Sequence, residues 1–372
     1  MDIAREAGTM FSSRYCEWFA LLLAGTLAPA SESLAAEPAA CAAPADQSAD
    51  AAACELAALL ERQFIYPEQG ARYAAVLREG VAAGRYAALD KAAAAEAMTH
   101  DLQTTAPDGH LSVRLREPDK PGGGSQAEAK APFPILEEAD WIAPGIAYMR
   151  INEFPYDPAI TARVAQFMAD HADARALIFD LRTHHGGGVE QMDAILPWLF
   201  AEPTRLVTME TSWDVERELG SPVADVASMT LLGDTAMARR EHWVTPNADT
   251  RLRDARVYLL TSGRTASAAE HFALALKRTG RATLVGAATA GANHFGGQAD
   301  LPGGFFAFIP VGRTFDPDTG EDWEGDGVAP DIAVAPELAL ERALTELGFA
   351  PEEAKRLSDA HKPTLTMERR KR

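Results

Sequence analysis

Ser267 lies where an apolar run, Leu259-Leu260, passes through Thr261-Ser262-Gly263-Arg264-Thr265-Ala266 into Ala268-Ala269-Glu270 and a helical stretch over 268–277. A serine at a strand-to-helix junction has its hydroxyl beside backbone N–H groups that the helix leaves unpaired. It also sits at the positive end of the helix dipole. Such N–H groups can stabilise the oxyanion of an acyl-transfer intermediate. The same pattern also describes a serine that only caps a helix.

Four further segments carry groups able to do chemistry. Phe179-Asp180-Leu181-Arg182 runs into Thr183-His184-His185 and three glycines, Gly186 to Gly188, which let a backbone N–H approach a ligand closely. Adjacent histidines rarely point at one metal ion without further ligands, so no metal site is expected here. His110 stands in Pro107-Asp108-Gly109-His110-Leu111. His294 stands in a glycine-rich loop, Gly291-Ala292-Asn293-His294-Phe295-Gly296-Gly297. Glu324 is held between turns in Trp323-Glu324-Gly325-Asp326-Gly327-Val328-Ala329-Pro330-Asp331. Each of these side chains could equally be structural or solvated.

Elements that could position these groups follow from the apolar spacing. Leu56, Leu59, Leu60 and Phe64 share a helical stripe that Pro67 is expected to end. Tyr73, Val76, Leu77 and Val81 mark a second helix, and Ala94, Ala97, Met98 and Leu102 a third. A small helical bundle over 54–116 is expected. Residues 117–132, rich in Pro, Gly, Ser and charge, read as a linker. Beyond it, Ile146–Ile151, Ala176–Leu181, Val257–Leu260, Leu284-Val285 and Phe305–Val311 read as strands. Helical stretches at Val189–Phe200 and Ala268–Lys277 lie between them. Strand alternating with helix predicts an α/β core over 133–345 with a mostly parallel sheet and crossover helices. Residues 346–372 read as a polar tail, frayed and solvated from Pro351 onward.

The chain has 372 residues, 47% of them hydrophobic, enough for one large core or two smaller ones. Its formal net charge of -19 argues against nucleic acid and anionic lipid as partners. Residues 1–35 read as a signal peptide. Arg5 and Arg14 precede a short apolar run, Trp18–Leu27, and Ser33-Leu34-Ala35 fits a cleavage site before Ala36. No integral membrane segment is expected in the mature chain, which would be periplasmic or secreted. Residues 36–53 read as a disordered leader. Of three cysteines, Cys16 would leave with the signal. Cys41 and Cys54 would remain in an oxidising compartment as a candidate disulfide, or as two free thiols.

Taken in order, these motifs resemble the tail-specific (C-terminal processing) serine peptidases. They are Asp-Gly-His, Asp-Leu-Arg with glycines, Thr-Ser-x-x-Thr-x-Ser-Ala-Ala-Glu and Trp-Glu-Gly-x-Gly-Val-x-Pro-Asp. The branch most similar is the one with the tricorn core and the repeats of interphotoreceptor retinoid-binding protein. The resemblance covers residues 54–345 and implies an α/β core of the crotonase or ClpP type. It leaves no room for a PDZ domain in the stretch 117–140. It implies Ser267 as nucleophile and the N–H groups of Ala268 and of a glycine in the Gly186-Gly187 pair as oxyanion hole. His110 would be the general base, supported by Glu324, with His294 as the second-choice base. The lysine of the classical dyad is replaced by Ala292. His184 stands where the family commonly has Asn, Gly109 where this branch has Ser, and Ala287 where Glu is common. No cofactor and no metal are implied.

The expected activity is an exported serine peptidase that cleaves a peptide or protein substrate through an acyl-enzyme. A neutral imidazole takes the serine proton, and a carboxylate orients it. A non-catalytic binding protein for an apolar ligand or peptide on the same fold is the alternative, and an esterase would use the same residues. Oligomeric state is left open.

Overall fold

The structure is a computed structural model that describes residues 41, 47–116, 133–233 and 235–368. The expected signal segment 1–35 and linker 117–132 lie outside the described residues, as do 36–40 and 42–46 of the expected leader.

Three helices come first: α1 (Ala49–Gln63), α2 (Pro67–Ala82) and α3 (Lys91–Thr105). Helix α1 begins inside the stretch 36–53 that composition assigned to a leader. Ser48 Oγ accepts the Ala51 N–H, and Ala51, Ala52 and Ala53 are small enough to bury. Cys41 and Cys54 are joined by a disulfide. Pro67 does not close α1 but opens α2, where its missing N–H is no loss. Asp90 caps α3 by accepting the Ala93 N–H.

The core follows as β1 (Val113–Leu115), β2 (Leu136–Ala143), β3 (Ile146–Ile151), α4 (Pro158–Asp170), β4 (Ala176–Asp180), α5 (Glu190–Ile195), β5 (Thr204–Thr211), α6 (Trp213–Leu219), β6 (Met229–Leu232), β7 (Ala238–Val244), β8 (Arg256–Thr261), α7 (Ala268–Arg278), β9 (Thr283–Gly286), β10 (Phe295–Asp300), β11 (Phe305–Phe315), β12 (Ile332–Ala333), α8 (Ala339–Glu346) and α9 (Pro351–Ala360). One sheet has the order β12-β9-β8-β4-β3-β2, parallel throughout except for the antiparallel edge strand β2. Strands β3 and β4 are buried along their whole length, as expected for central strands covered on both faces.

A second sheet is antiparallel and was not anticipated: β1-β11-β5-β7-β6, with β10 on the other side of β11. Apart from β11, whose run Phe305–Val311 reads as a strand, its strands interleave polar or charged residues with apolar ones and lack the continuous apolar runs that reveal the parallel sheet. Alternation along β11 sends Phe305, Ala307, Ile309 and Val311 into one core with Leu56, Leu60, Leu77 and Met98. The three N-terminal helices pack on one another and complete their core against this sheet.

The C-terminal region is also more ordered than its composition suggests. In α9, Ala354 and Leu357 pack with Leu340 and Leu344 of α8 and Tyr258 of β8, while charged side chains face water. The following residues are tied down. Arg150 Nη1 donates to Lys362 O (3.3 Å), Thr364 N–H to Glu137 (3.0 Å) and Ser262 Oγ to Met367 O (3.2 Å). Among the described residues no helix is long and apolar enough to cross a membrane.

Candidate active site

Strand β8 delivers the chain to a loop that is stitched to its neighbour. Thr265 Oγ1 donates to Leu181 O (2.8 Å), Ser262 Oγ to Arg182 O (2.5 Å) and Ala266 N–H to His184 O (3.1 Å). The loop ends at Ser267, whose φ of 55° makes it the single non-glycine residue with positive φ among the described residues. A simple cap would adopt extended backbone, so the strain argues for a positioned hydroxyl rather than a helix start alone. The Ser267 N–H donates to Glu270 Oε2 at 2.8 Å.

Glu270, quoted in the serine motif but given no role from sequence, ties the site together. Its buried carboxylate also accepts from Thr289 Oγ1 (2.6 Å), Gly291 N–H (2.7 Å) and Ala292 N–H (2.9 Å). Burial raises its pKa against the pull of these donors. It thus joins the Ser267 turn to the loop that carries His294.

His294 is buried, and its Nδ1 lies 2.6 Å from Asp108 Oδ2. Asp108 Oδ1 accepts the backbone N–H groups of His110 (2.8 Å) and Leu111 (2.9 Å). Burial alone would neutralise both side chains. The hydrogen bond and mutual charge outweigh it, so Asp108 is lowered and His294 raised, with Glu324 and Asp322 adding to the rise. His294 Nε2 is buried and has no hydrogen-bond partner among the described residues. The edges of Phe64 and Tyr66 wall the ring at centroid distances of 6.0 and 5.6 Å.

The expected support of His110 by Glu324 takes a different form. Glu324 Oε1 accepts the Gly109 N–H (2.7 Å), while Oε2 accepts those of Asn293 (2.7 Å) and His294 (3.3 Å) and lies 3.8 Å from His294 Nδ1. Burial and the Asp108 charge raise the Glu324 pKa. The His110 ring stacks on Phe308 at 5.0 Å and lines a cavity of about 580 Å³ with His100, Arg114 and Phe306. Both carboxylates therefore gather on His294. Sequence reading missed Asp108 because it stood in the same motif as the more conspicuous His110. Asp108, His294 and Glu324 also bring potential ligand atoms within 4.8 Å of one another, a set that could hold a metal ion.

The glycine turn lies under the serine. A side chain at Gly186 would meet Ser267 Cβ at 2.8 Å, and one at Gly187 would meet Phe154 O at 2.0 Å. Phe154 N–H donates to Gly186 O (2.9 Å) and Gly188 N–H to Phe154 O (2.7 Å). The Gly186 N–H is not open to a ligand, because it donates to His184 Nδ1 at 3.0 Å. Among the described residues, the N–H groups of Gly187 and of Ala268, the first residue of α7, have no hydrogen-bond acceptor. A strained serine packed on the Gly186 turn and followed by the open Ala268 amide, with a buried Asp–His pair on a loop tied to the Ser267 turn, has the parts of an acyl-transfer site.

The model of peptidase family S41 matches residues 145–334. This chain belongs to peptidase family S41. A protein from Parabacteroides merdae has the same fold, with a TM-score of 0.52 at 16% identity over 84% of this chain and 99% of that one. The photosystem II D1 C-terminal processing protease matches at 22% identity with a TM-score of 0.38, over 52% of this chain and 43% of its own. The tricorn protease matches at 18% identity with a TM-score of 0.33, over 57% of this chain and 18% of its own. The S41 chain thus spans less than half the length of the D1 processing protease it matches.

Proposed function

We propose that this S41 chain is an exported peptidase that cleaves peptide bonds of a peptide or protein substrate through an acyl-enzyme. Ser267 is the nucleophile, and His294, oriented by Asp108, is the base. The observation that carries the reading is the Asp108–His294 hydrogen bond, which fixes the Nδ1 proton and leaves Nε2 as the basic nitrogen. Of the two histidines that sequence offered as base, this favours His294 over His110.

In the first half-reaction Ser267 Oγ attacks the scissile carbonyl carbon and its proton passes to His294 Nε2. The carbonyl oxygen becomes an oxyanion between the amides of Gly187 and Ala268. Collapse breaks the C–N bond, and the proton on Nε2 moves to the departing amine. Water then repeats the sequence on the ester, with His294 taking its proton and returning it to Ser267.

Export is supported by the signal-like segment 1–35 and by the Cys41–Cys54 disulfide, a bond favoured in oxidising compartments. Fractionation of the host cell, with N-terminal sequencing of the mature chain, tests it. The expected start is Ala36, and a cytosolic chain that keeps Met1 would refute it. A fluorophosphonate probe on the purified protein tests the site. Labelling should require Ser267 and fall sharply in His294→Ala but only modestly in His110→Ala. The reverse order would return the role of base to His110.

A further inference from the structure

His184 is fully buried, with its ring edge-on to Phe154 at a centroid distance of 4.2 Å. Its backbone is committed: the N–H donates to Leu181 O (3.0 Å), and the carbonyl accepts Ala266 N–H, next to the nucleophile. Its Nδ1 accepts the Gly186 N–H. Burial, reinforced by the charge of His185, holds its pKa well below that of an ordinary histidine. The ring is therefore neutral, and because Nδ1 accepts, the proton is on Nε2. That Nε2–H is buried with no partner among the described residues. An aliphatic side chain would avoid this loss, and the one side-chain hydrogen bond the imidazole makes among the described residues is at Nδ1.

What Nδ1 does follows from the amides around it. Gly186 and Gly187 have φ of 117° and 129°, a conformation with many near alternatives for glycine. Phe154 takes the Gly186 carbonyl and the Gly188 N–H, and His184 takes the Gly186 N–H. One amide of the turn, that of Gly187, is left over, and the Gly186 Cα lies against Ser267.

We propose that His184 is a positioning residue of the oxyanion hole: its neutral imidazole holds the Gly186 amide inward, so that the turn presents Gly187 N–H, and not Gly186 N–H, to the oxyanion. The inference rests on the reading of Gly187 and Ala268 as the oxyanion donors. An Asn side chain branches at Cγ as His does, and its Oδ1 can stand where Nδ1 stands. Asn at 184 therefore keeps the acceptor, whereas Ala or Leu removes it.

The test is steady-state turnover of a peptide substrate by the mature protein and by His184→Ala, His184→Asn and His184→Leu, with circular dichroism as a check on folding. Loss of one oxyanion donor lowers kcat by about 100-fold with little change in KM. His184→Ala should show that loss, and His184→Asn should recover to within about threefold of wild type, a residual expected of slightly altered hydrogen-bond geometry. Inhibition by a peptide aldehyde, whose adduct carries an oxyanion, should weaken in step with kcat/KM. The midpoint of the acid limb of kcat/KM should not move, because His294 is untouched. If His184→Ala does not fold, His184→Leu against His184→Asn decides the same question at similar volume. Wild-type kcat in His184→Ala or His184→Leu would overturn the proposal, and so would equal losses in the Asn and Leu variants. Turnover that survives Ser267→Ala would instead remove the acyl-enzyme reading beneath it.

Discussion

Asp108 Oδ2 and His294 Nδ1 lie 2.6 Å apart, although 186 residues separate them in the chain. Asp108 enters from the segment after α3, and His294 from the loop before β10. Glu324 clamps both segments, accepting Gly109 N–H from one and Asn293 N–H from the other.

Removing the base should cost more than removing its neighbour. General-base catalysis is worth about 10²- to 10⁴-fold, so His294→Ala should lower kcat by that factor. His110→Ala should lower it by less than about tenfold, since its ring stacks on Phe308 while the Asp108 and Glu324 carboxylates both face the His294 ring. Steady-state kinetics on one peptide substrate, with both variants folded, decides.

The acid limb of kcat/KM should have its midpoint above the ordinary imidazole value of about 6.5. His294 acts only when neutral, and Asp108 raises its pKa despite burial. Asp108→Asn removes that charge, so it should move the midpoint down while also lowering the plateau. An unchanged midpoint in Asp108→Asn would mean that another group sets the limb.

The same pair links stability to pH. Asp108 has a lowered pKa, so its contribution is present above the unfolded carboxylate value and lost as pH falls through the folded one. His294 has a raised pKa, so its contribution is complete below the unfolded imidazole value and lost as pH rises through the folded one. Both are complete between about pH 3.9 and 6.5. The Tm difference between Ser267→Ala and Ser267→Ala/Asp108→Asn should be largest in that window and shrink toward pH 9. A difference that does not vary with pH would show that the two groups do not form a charged pair.

Glu270→Gln should disturb both fold and site. Four donors converge on the carboxylate, from Ser267, Thr289, Gly291 and Ala292, and an amide NH₂ cannot accept from those it faces. One unsatisfied buried group costs about 1–3 kcal/mol. Denaturant melts should show at least that loss, together with reduced probe labelling of Ser267.

Removing the Cys41–Cys54 bond should lower stability by about 2–3 kcal/mol, because it closes a short loop of the unfolded chain, with a sequence separation of 13. Melting with and without a reductant measures this. Probe labelling of the reduced folded protein should persist, because the bond fastens the start of α1 and touches none of the site residues.

Several features were legible in the sequence because they are local. The apolar runs 146–151, 176–181 and 257–260 announced β3, β4 and β8, since a strand buried on both faces needs continuous apolar residues. Ser267 could be placed at a strand-to-helix junction, and the glycines at 186–188 in a turn, from residue types alone. The antiparallel sheet was not legible. Strand β7, Ala-Arg-Arg-Glu-His-Trp-Val, buries alternate residues, but these include Arg240 and His242 while Trp243 is exposed, so the alternation does not read as apolar and polar; of this sheet only β11 reads as a strand from its apolar run. Helix α9 was hidden likewise by its charged outer face, with Ala354 and Leu357 as its main apolar anchors.

What tertiary structure decided is which groups meet. Sequence supplied two histidines and two acidic motifs in plausible order, and nothing in their spacing says which imidazole faces which carboxylate. The choice is made by long-range packing, which places the His294 loop against the segment after α3 through Glu324 and against the Ser267 turn through Glu270. The same packing commits the Gly186 amide to His184 and leaves that of Gly187 open. Hydrogen bonds reach about 3 Å, so partnership at a site is a property of three-dimensional approach. Local periodicity determines the elements, and only their closure against one another determines the chemistry.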